Sequence, residues 1–321
     1  MKTKILCFLV VILVGVTSVG YAQAKDFPKK QITIVLGHGA GGGVDTFFRL
    51  FAEKLKNKWE VPVNILNKPE ATGAIAADQV ARADADGYTM LGNLIGALAT
   101  LTVANPKSPI HVVRDFEPIM MNTYVAQVMY VNTDSKFKSI EEVIDYAREK
   151  PRELLVAVSD IGSNLQLEML LLQRAANVEF TLVYHEGTRE ILTGLLGKHY
   201  DVGYANDVVG TPFVMAGQMR ALASDIKSPL GCPTFAEKGY PVVNLPPIAG
   251  LLGPKGLPPD IIKMWKDAAT EIVNDPDFVA ATKKLNYTIV ATIETEELAK
   301  RFKEEVDKFS QFTAEELGWK K

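Results

Sequence analysis

Nine residues carry the clearest chemical signal in the chain: Gly37-His38-Gly39-Ala40-Gly41-Gly42-Gly43-Val44-Asp45, five of them glycine. An apolar, β-branched run at 32–36 precedes them. After them, Phe47, Phe51, Leu55 and Trp59 recur every fourth residue, which is one stripe of a helix spanning 46–59. The nine therefore join the carboxyl end of a strand to the amino end of a helix. Glycine lets such a connection bring its N–H groups close to a ligand. The helix points its unpaired N–H groups and the positive end of its dipole the same way. The result is a receptacle for an anion such as a carboxylate or phosphate. Asp45 is expected to cap the helix by accepting one of those N–H groups. A tight turn with no ligand accounts for the same residues, because glycine is the default there too.

Gly37, Gly39 and Gly42 also spell G-x-G-x-x-G between a strand and a helix, the setting of a dinucleotide fingerprint. That fingerprint needs an acid at the end of the second strand. Here the second strand, 61–66, runs into Asn67-Lys68-Pro69. The amino terminus argues the same way. Lys2 and Lys4, an apolar core at 5–14 and Ala22-Gln23-Ala24 read as a cleaved secretory signal over residues 1–24. Cys7 lacks lipobox spacing, so a soluble, unanchored periplasmic protein beginning near Lys25 is expected, and exported proteins rarely meet nicotinamide cofactors. Removing the leader's two lysines takes the net charge from −3 to −5, and no basic block suggests nucleic acid or an anionic membrane surface. Only Cys232 remains after cleavage, so no internal disulfide is available; a buried, inert thiol is expected.

Strand-like and helix-like segments alternate along the chain, the mark of an α/β fold with mainly parallel sheets. Helices are expected at 73–83, 140–149, 165–176, 189–196, 258–274, 277–285 and 295–317. Strands are expected at 88–91, 116–121, 124–131, 154–158, 181–184, 200–204 and 219–223, with an irregular, proline-rich stretch at 228–247. Several strands end in small or polar loops, the edge where ligands bind in open parallel sheets. These are Gly92-Asn93-Leu94-Ile95-Gly96, which makes Asn93 part of a second wall, the loop at 159–164 with Ser163, His185-Glu186-Gly187-Thr188, and Ala205-Asn206-Asp207. Ser163 and Thr188 read equally as helix caps, and Asn206-Asp207 as a helix start. Two βα sets joined near 124–131 and 222–230 suggest two lobes with a ligand site between them. Phe302, Val306 and Phe309 are expected to be core.

The order and spacing of several motifs resemble the substrate-binding proteins of tripartite tricarboxylate transporters, the Bug or TctC-type family. They are I-V-L-G-H-G-A-G-G-G-V-D at 34–45, N-K-P at 67–69, A-D-G-Y-T-M-L at 85–91, G-S at 162–163, E-G-T-R-E-I-L-T-G-L-L-G at 186–197, D-V at 201–202, M-R-A-L-A at 219–223, P-T-F-A-E-K-G-Y-P at 233–241 and N-D-P-D-F at 274–278. The resemblance implies a two-lobed, type II-like periplasmic binding fold. Each lobe would be a mainly parallel sheet flanked by helices, with two crossover strands. Lobe 1 would be 25–126 with 228–321, and lobe 2 would be 127–227. It implies a monomer that captures a small carboxylated organic solute and hands it to integral-membrane permease subunits, with no cofactor and no reaction catalysed. Implied contacts are Gly41, Gly42, Gly43, Val44 and Asp45 from the first loop, Ser163, Gly187 and Thr188 from the opposite lobe, and Asn206 and Asp207 for the rest of the solute. The first loop departs from the family's usual prolines and aromatic, and Val44 replaces a hydroxyl residue. His185-Glu186 replaces a Tyr-Lys. Glu186 disfavours a polyanion such as citrate, a charge that His38, His185 or Arg189 could offset.

Other chemistry finds less support. A metal bridged by His38, His185 and Glu186 or Asp207 lacks any H-E-x-x-H or close histidine pair, and histidines on loops that hydrogen-bond solute or water fit better. Ser163 lacks a G-x-S-x-G setting. An exported enzyme would need a catalytic constellation that inspection does not find. A sensor reporting to a membrane receptor is the other alternative.

Overall fold

Alternation of apolar runs with amphipathic stretches produces eleven strands and eleven helices among the described residues. The computed structural model describes residues 27–41, 43–103, 108–123, 125–159, 161–185, 187–285, 287, 290–293 and 295–317. The leader expected at 1–24, Gly42, Tyr124 and Glu186 lie outside them. In chain order the elements are β1 (Ile32–Leu36), α1 (Gly43–Trp59), β2 (Val63–Asn67), α2 (Ala74–Ala81), β3 (Thr89–Leu94), α3 (Ile95–Val103), α4 (Val112–Asp115), β4 (Phe116–Thr123), β5 (Gln127–Asn132), α5 (Ile140–Glu149), β6 (Leu155–Ser159), α6 (Asn164–Ala176), β7 (Thr181–His185), α7 (Thr188–Leu196), β8 (Val202–Asn206), α8 (Asp207–Met215), β9 (Met219–Ser224), β10 (Ile248–Pro254), α9 (Pro259–Asn274), α10 (Pro276–Lys284), β11 (Val290–Thr292) and α11 (Thr295–Asp307).

The strands form two sheets. One has the order β11-β4-β10-β3-β1-β2, the other β7-β6-β8-β5-β9. The expected mainly parallel sheets are in fact mixed. β1 pairs in parallel with β2 and β3, but β10 runs antiparallel to β3 and β4, as β11 does to β4. In the second sheet β6 is parallel to β7 and β8, whereas β5 is antiparallel to β8 and β9. The antiparallel pairings arise because the chain leaves the first sheet after β4, builds the second, and returns through β10 into the middle of the first. A strand inserted on the return need not follow a βα crossover, so nothing forces it parallel.

Helix α1 covers the first sheet because its stripe lands on one side: Phe47, Phe51 and Leu55 are fully buried. Phe51 stacks on Phe47 and meets Phe48 and Phe278 edge-on. Trp59 sits edge-on against the buried Trp265, whose indole N–H donates to the Gly87 carbonyl at 3.1 Å. Phe302, Val306 and Phe309 are buried as the pattern at the carboxyl end predicts. Cys232 is half-buried rather than buried, and burial raises its thiol pKa, which leaves it poorly nucleophilic.

The glycine-containing loop expected at 92–96 is instead strand followed at once by helix. Gly92 belongs to β3 and pairs with Leu251; a Cβ there would fall 2.4 Å from Leu36 and 2.8 Å from Phe48. This glycine serves close packing, not a turn. Neither α3, β10 nor β11 was legible from periodicity. α3 is apolar on nearly every side and β10 is buried at every position, so neither shows a two-faced pattern.

Phe51→Ala removes a ring that three other rings enclose. It is expected to cost about 3–5 kcal/mol, read as a lowered midpoint in urea unfolding followed by tryptophan fluorescence.

Candidate functional site

The glycine bend is held from below by a carboxylate. Asp45 is the third residue of α1 and does not cap it as expected. Its side chain reaches back, so that Oδ2 accepts the Gly41 N–H at 2.9 Å and the Arg49 Nε–H at 2.8 Å, while Oδ1 accepts Asn67 Nδ2 at 2.8 Å. The second Asn67 amide hydrogen goes to the His38 carbonyl (3.0 Å), and Arg49 Nη2 donates to Asn67 Oδ1 (3.1 Å). Asn67, the first residue of N-K-P, is therefore the clasp of the bend. Sequence reasoning placed it only in a motif. Its one available signal was its position at the end of the strand beside β1. Burial pushes the Asp45 carboxyl up, but Arg49, the Gly41 N–H and Asn67 together outweigh it and hold the pKa below its ordinary value. At 2 % exposed and fully bonded, Asp45 shapes the receptacle and is not free for solute. Gly41 takes φ +79, a conformation costly for other residues.

His38 and Asn93 lie beneath the same bend. The Leu94 N–H is shared between His38 Nε2 (3.3 Å) and Asn93 Oδ1 (2.8 Å). Burial lowers the imidazole pKa, opposed by Asn93. A neutral ring accepting a backbone N–H cannot supply the positive charge expected of it. Asn93 is 0 % exposed and wedged between two glycines: a Cβ on Gly37 would lie 2.5 Å from Nδ2, and one on Gly73 2.9 Å from it. Asn93 buttresses the bend, and its Nδ2 is buried without a hydrogen-bond partner among the described residues. The Val44 side chain is buried with Phe47 and Phe48 in the core, so only its backbone faces outward chemistry. What remains of the bend for an anion is backbone, at an α1 amino end whose first-turn N–H groups have no intrahelical acceptor.

In the second sheet, three helices start at the carboxyl edges of β6, β7 and β8. Ser163 caps α6, accepting the Gln166 N–H at 3.2 Å, while Gln166 Oε1 accepts the Gly162 N–H at 2.8 Å. Gly187 precedes α7 with no side-chain cap. Asn206 caps α8 through Oδ1, which takes the Val209 N–H at 3.0 Å, and its Nδ2 donates to the Thr188 hydroxyl at 3.2 Å. That bond fastens the amino ends of α7 and α8 side by side. Thr188 is thus a tie between helices and not a cap, whereas Ser163 caps its own helix. Asp207, expected at the solute, is 3 % exposed and turned away; it accepts the Ala126 N–H (3.3 Å) and the Ser228 hydroxyl (3.0 Å).

The two halves meet at this level. Val208, next to Asp207, packs against the cluster that holds Val44 and Val125. A Cβ on Gly96 at the start of α3 would lie 2.8 Å from Asn164 Oδ1 at the start of α6. His185 does not join them: its ring lies 5.3 Å from Tyr200, and Nε2 is buried without a hydrogen-bond partner among the described residues. Arg189 is exposed on α7. An open groove of about 700 Å³ along β2 and α1, lined by Arg49, Lys56, Val63 and Leu66, contains none of the candidate residues.

Two α/β bodies joined by two crossings, with helix amino ends gathered where they meet, define a solute-binding protein of the periplasmic type. The solved structures it resembles agree. Rpa4515 of R. palustris, solved with adipate, is 25 % identical with a TM-score of 0.76, covering 91 % of this chain and 99 % of its own. MatC from Rhodopseudomonas palustris, solved with malate, is 25 % identical with a TM-score of 0.71, covering 89 % and 99 %. Protein BugT of Bordetella pertussis is 29 % identical over 85 % of this chain and 86 % of its own, and a protein from the tcbD-tcbE intergenic region of Pseudomonas sp. strain P51 is 30 % identical over 93 % and 90 %. The profile of the tripartite tricarboxylate transporter family receptor matches residues 47–317, and the chain belongs to that family. The match begins just beyond the glycine bend.

Asp45→Asn is expected to cost about 2 kcal/mol at neutral pH, the scale of hydrogen bonds to a charged group. Because the native carboxyl pKa is lowered, its contribution is present above the ordinary carboxylate range and is lost as pH falls through the native value. Urea unfolding at a series of pH values should show the gap between wild type and variant closing under acid conditions. A gap independent of pH would remove Asp45 as the charged clasp.

Proposed function

We propose that the protein captures a small carboxylate-bearing organic solute between its lobes outside the cytoplasm and delivers it to a tripartite tricarboxylate-type membrane permease. The observation that carries this reading is the Asn206–Thr188 bond. It sets two helix amino ends side by side at the level where α1 begins in the other half. Backbone N–H groups with aligned dipoles favour an anion and need no charged side chain. The moving bodies are residues 25–126 with 228–321, and residues 127–227. The solute head group bonds to the backbone of Gly42, Gly43 and Val44 on one body and to Ser163, Gly187, Thr188 and Asn206 on the other.

Closure then needs no chemistry. A solute that touches both bodies only when they are shut shifts the equilibrium by its differential affinity for the shut state. No bond is made or broken. The ligands printed for MatC and Rpa4515, malate and adipate, support the class of solute. Among the described residues no helix is long and apolar enough to cross a membrane, consistent with a separate permease doing the transport.

A thermal-shift screen of mono-, di- and tricarboxylates, amino acids and aromatic acids tests the reading; at least one carboxylate should raise the midpoint, and none doing so would remove it. With the solute found, Thr188→Ala is expected to weaken binding by about 1 kcal/mol or more in calorimetric titration. Gly42→Val should abolish binding while the circular dichroism spectrum stays native, and unchanged affinity would take the bend out of the site.

A further inference from the structure

Three buried carboxylates grip the two segments that join the sheets. Asp207 holds both: Oδ1 accepts the N–H of Ala126 in the outgoing crossing (3.3 Å), and Oδ2 accepts the hydroxyl of Ser228 in the returning one (3.0 Å). Asp225 opens the returning segment, and its Oδ1 accepts the N–H groups of Gln127 (2.8 Å) and Ile226 (2.6 Å). Glu168, inside α6, accepts the N–H of Leu245 near the end of that segment (2.6 Å) and the hydroxyl of Tyr204 (2.7 Å). The three are 3 %, 4 % and 0 % exposed.

None of them bonds to a cation among the described residues. The titratable groups around them are Tyr130 on β5, Tyr204 on β8, Cys232 on the returning segment and one another. Among the described residues, the lysine acting on Glu168 is Lys308, whose ammonium is bonded to Glu305. Asp225 Oδ2 is buried without a hydrogen-bond partner among the described residues, and so is Gln127 Oε1. A buried carboxylate oxygen that no donor reaches is stabilised by holding a proton more than by carrying charge. Burial of three negative charges that hydrogen bonds offset only in part is costly, and a proton relieves it.

We propose that the hinge is proton-gated: a proton held among Glu168, Asp225 and Asp207 keeps the two crossings packed, and its loss as pH rises loosens them and lets the two bodies part. Burial raises all three carboxyl pKa values, Asp207 to about 6, and the Glu168 and Asp207 charges raise Asp225 further. The sign follows. Each acid is protonated both folded and unfolded well below its ordinary range, so it imposes no penalty there. The penalty grows as pH climbs from that range through the raised native value. The functional consequence, tighter solute retention in acid, rests on the lobe-closure reading; the proton itself does not.

The experiment uses the full mature chain without solute. Infrared difference spectra should show protonated carboxyl groups persisting well above the ordinary carboxylate range, and small-angle scattering should give a larger radius of gyration at about pH 8.5 than at about pH 5.5. Glu168→Gln and, as an independent variant, Asp225→Asn mimic the protonated acid. Each should raise the thermal midpoint at the higher pH with little change at the lower, and flatten the scattering difference. Absence of the protonated carboxyl band in wild type would overturn the proposal. So would a radius that stays constant while the band disappears. Either result leaves the solute screen standing, and an empty solute screen leaves these measurements standing.

Discussion

A run of glycines has no preferred shape, so the bend at 37–43 depends on whatever holds it. That holder is one carboxylate. Asp45 fixes the Gly41 N–H, Arg49 and Asn67, and Asn67 extends the grip to the His38 carbonyl. Because charge-assisted bonds are about twice as strong as neutral ones, a single buried acid can order a segment that backbone entropy would otherwise scatter. Asn93 and the bare faces of Gly37 and Gly73 close the underside. Asp45 and Asn67 are thereby engaged inside the protein, and backbone makes up most of what is left to face a ligand.

The second sheet reaches a similar end by different means. The starts of α6 and α8 are capped by short polar side chains, and Asn206 does two jobs: its oxygen caps α8 while its amide nitrogen reaches Thr188 on α7, which has no side-chain cap of its own. The bodies are then coupled through Val208 against the Val44–Val125 cluster and through carboxylates at the crossings. Acids thus do structural work on both sides. Asp45 is charged and paired with a guanidinium, whereas Glu168, Asp207 and Asp225 are buried with no cation bonded to them among the described residues. The same residue type is stabilised as an anion in one place and disfavoured as one in the other, according to its neighbours.

Local pattern alone located the bend, the stripe of α1, the small-residue loops after β6, β7 and β8, and the alternation that makes the fold α/β. Each is a property of residues close together in the chain, where period and glycine content report directly on backbone geometry. The order of motifs added the family and the two-lobed architecture. What local pattern misread were roles settled by distant partners. Asp45 looked like a cap because its Asn67 partner lies on another strand. The family resemblance, not local pattern, made Asp207 a solute contact; its partners Ala126 and Ser228 are far off in sequence. Asn93 looked like loop because its glycine neighbours imply a turn until β10 pairs alongside.

Sequence determined where helix amino ends and glycine backbone would fall, because capping residues and strand-to-helix transitions are written locally. Tertiary structure decided which polar side chains are free to meet a ligand and which are consumed in holding the frame. That division turns on hydrogen-bond partners brought together across two mixed sheets, and the return of β10 into the first sheet is fixed only when the whole chain packs.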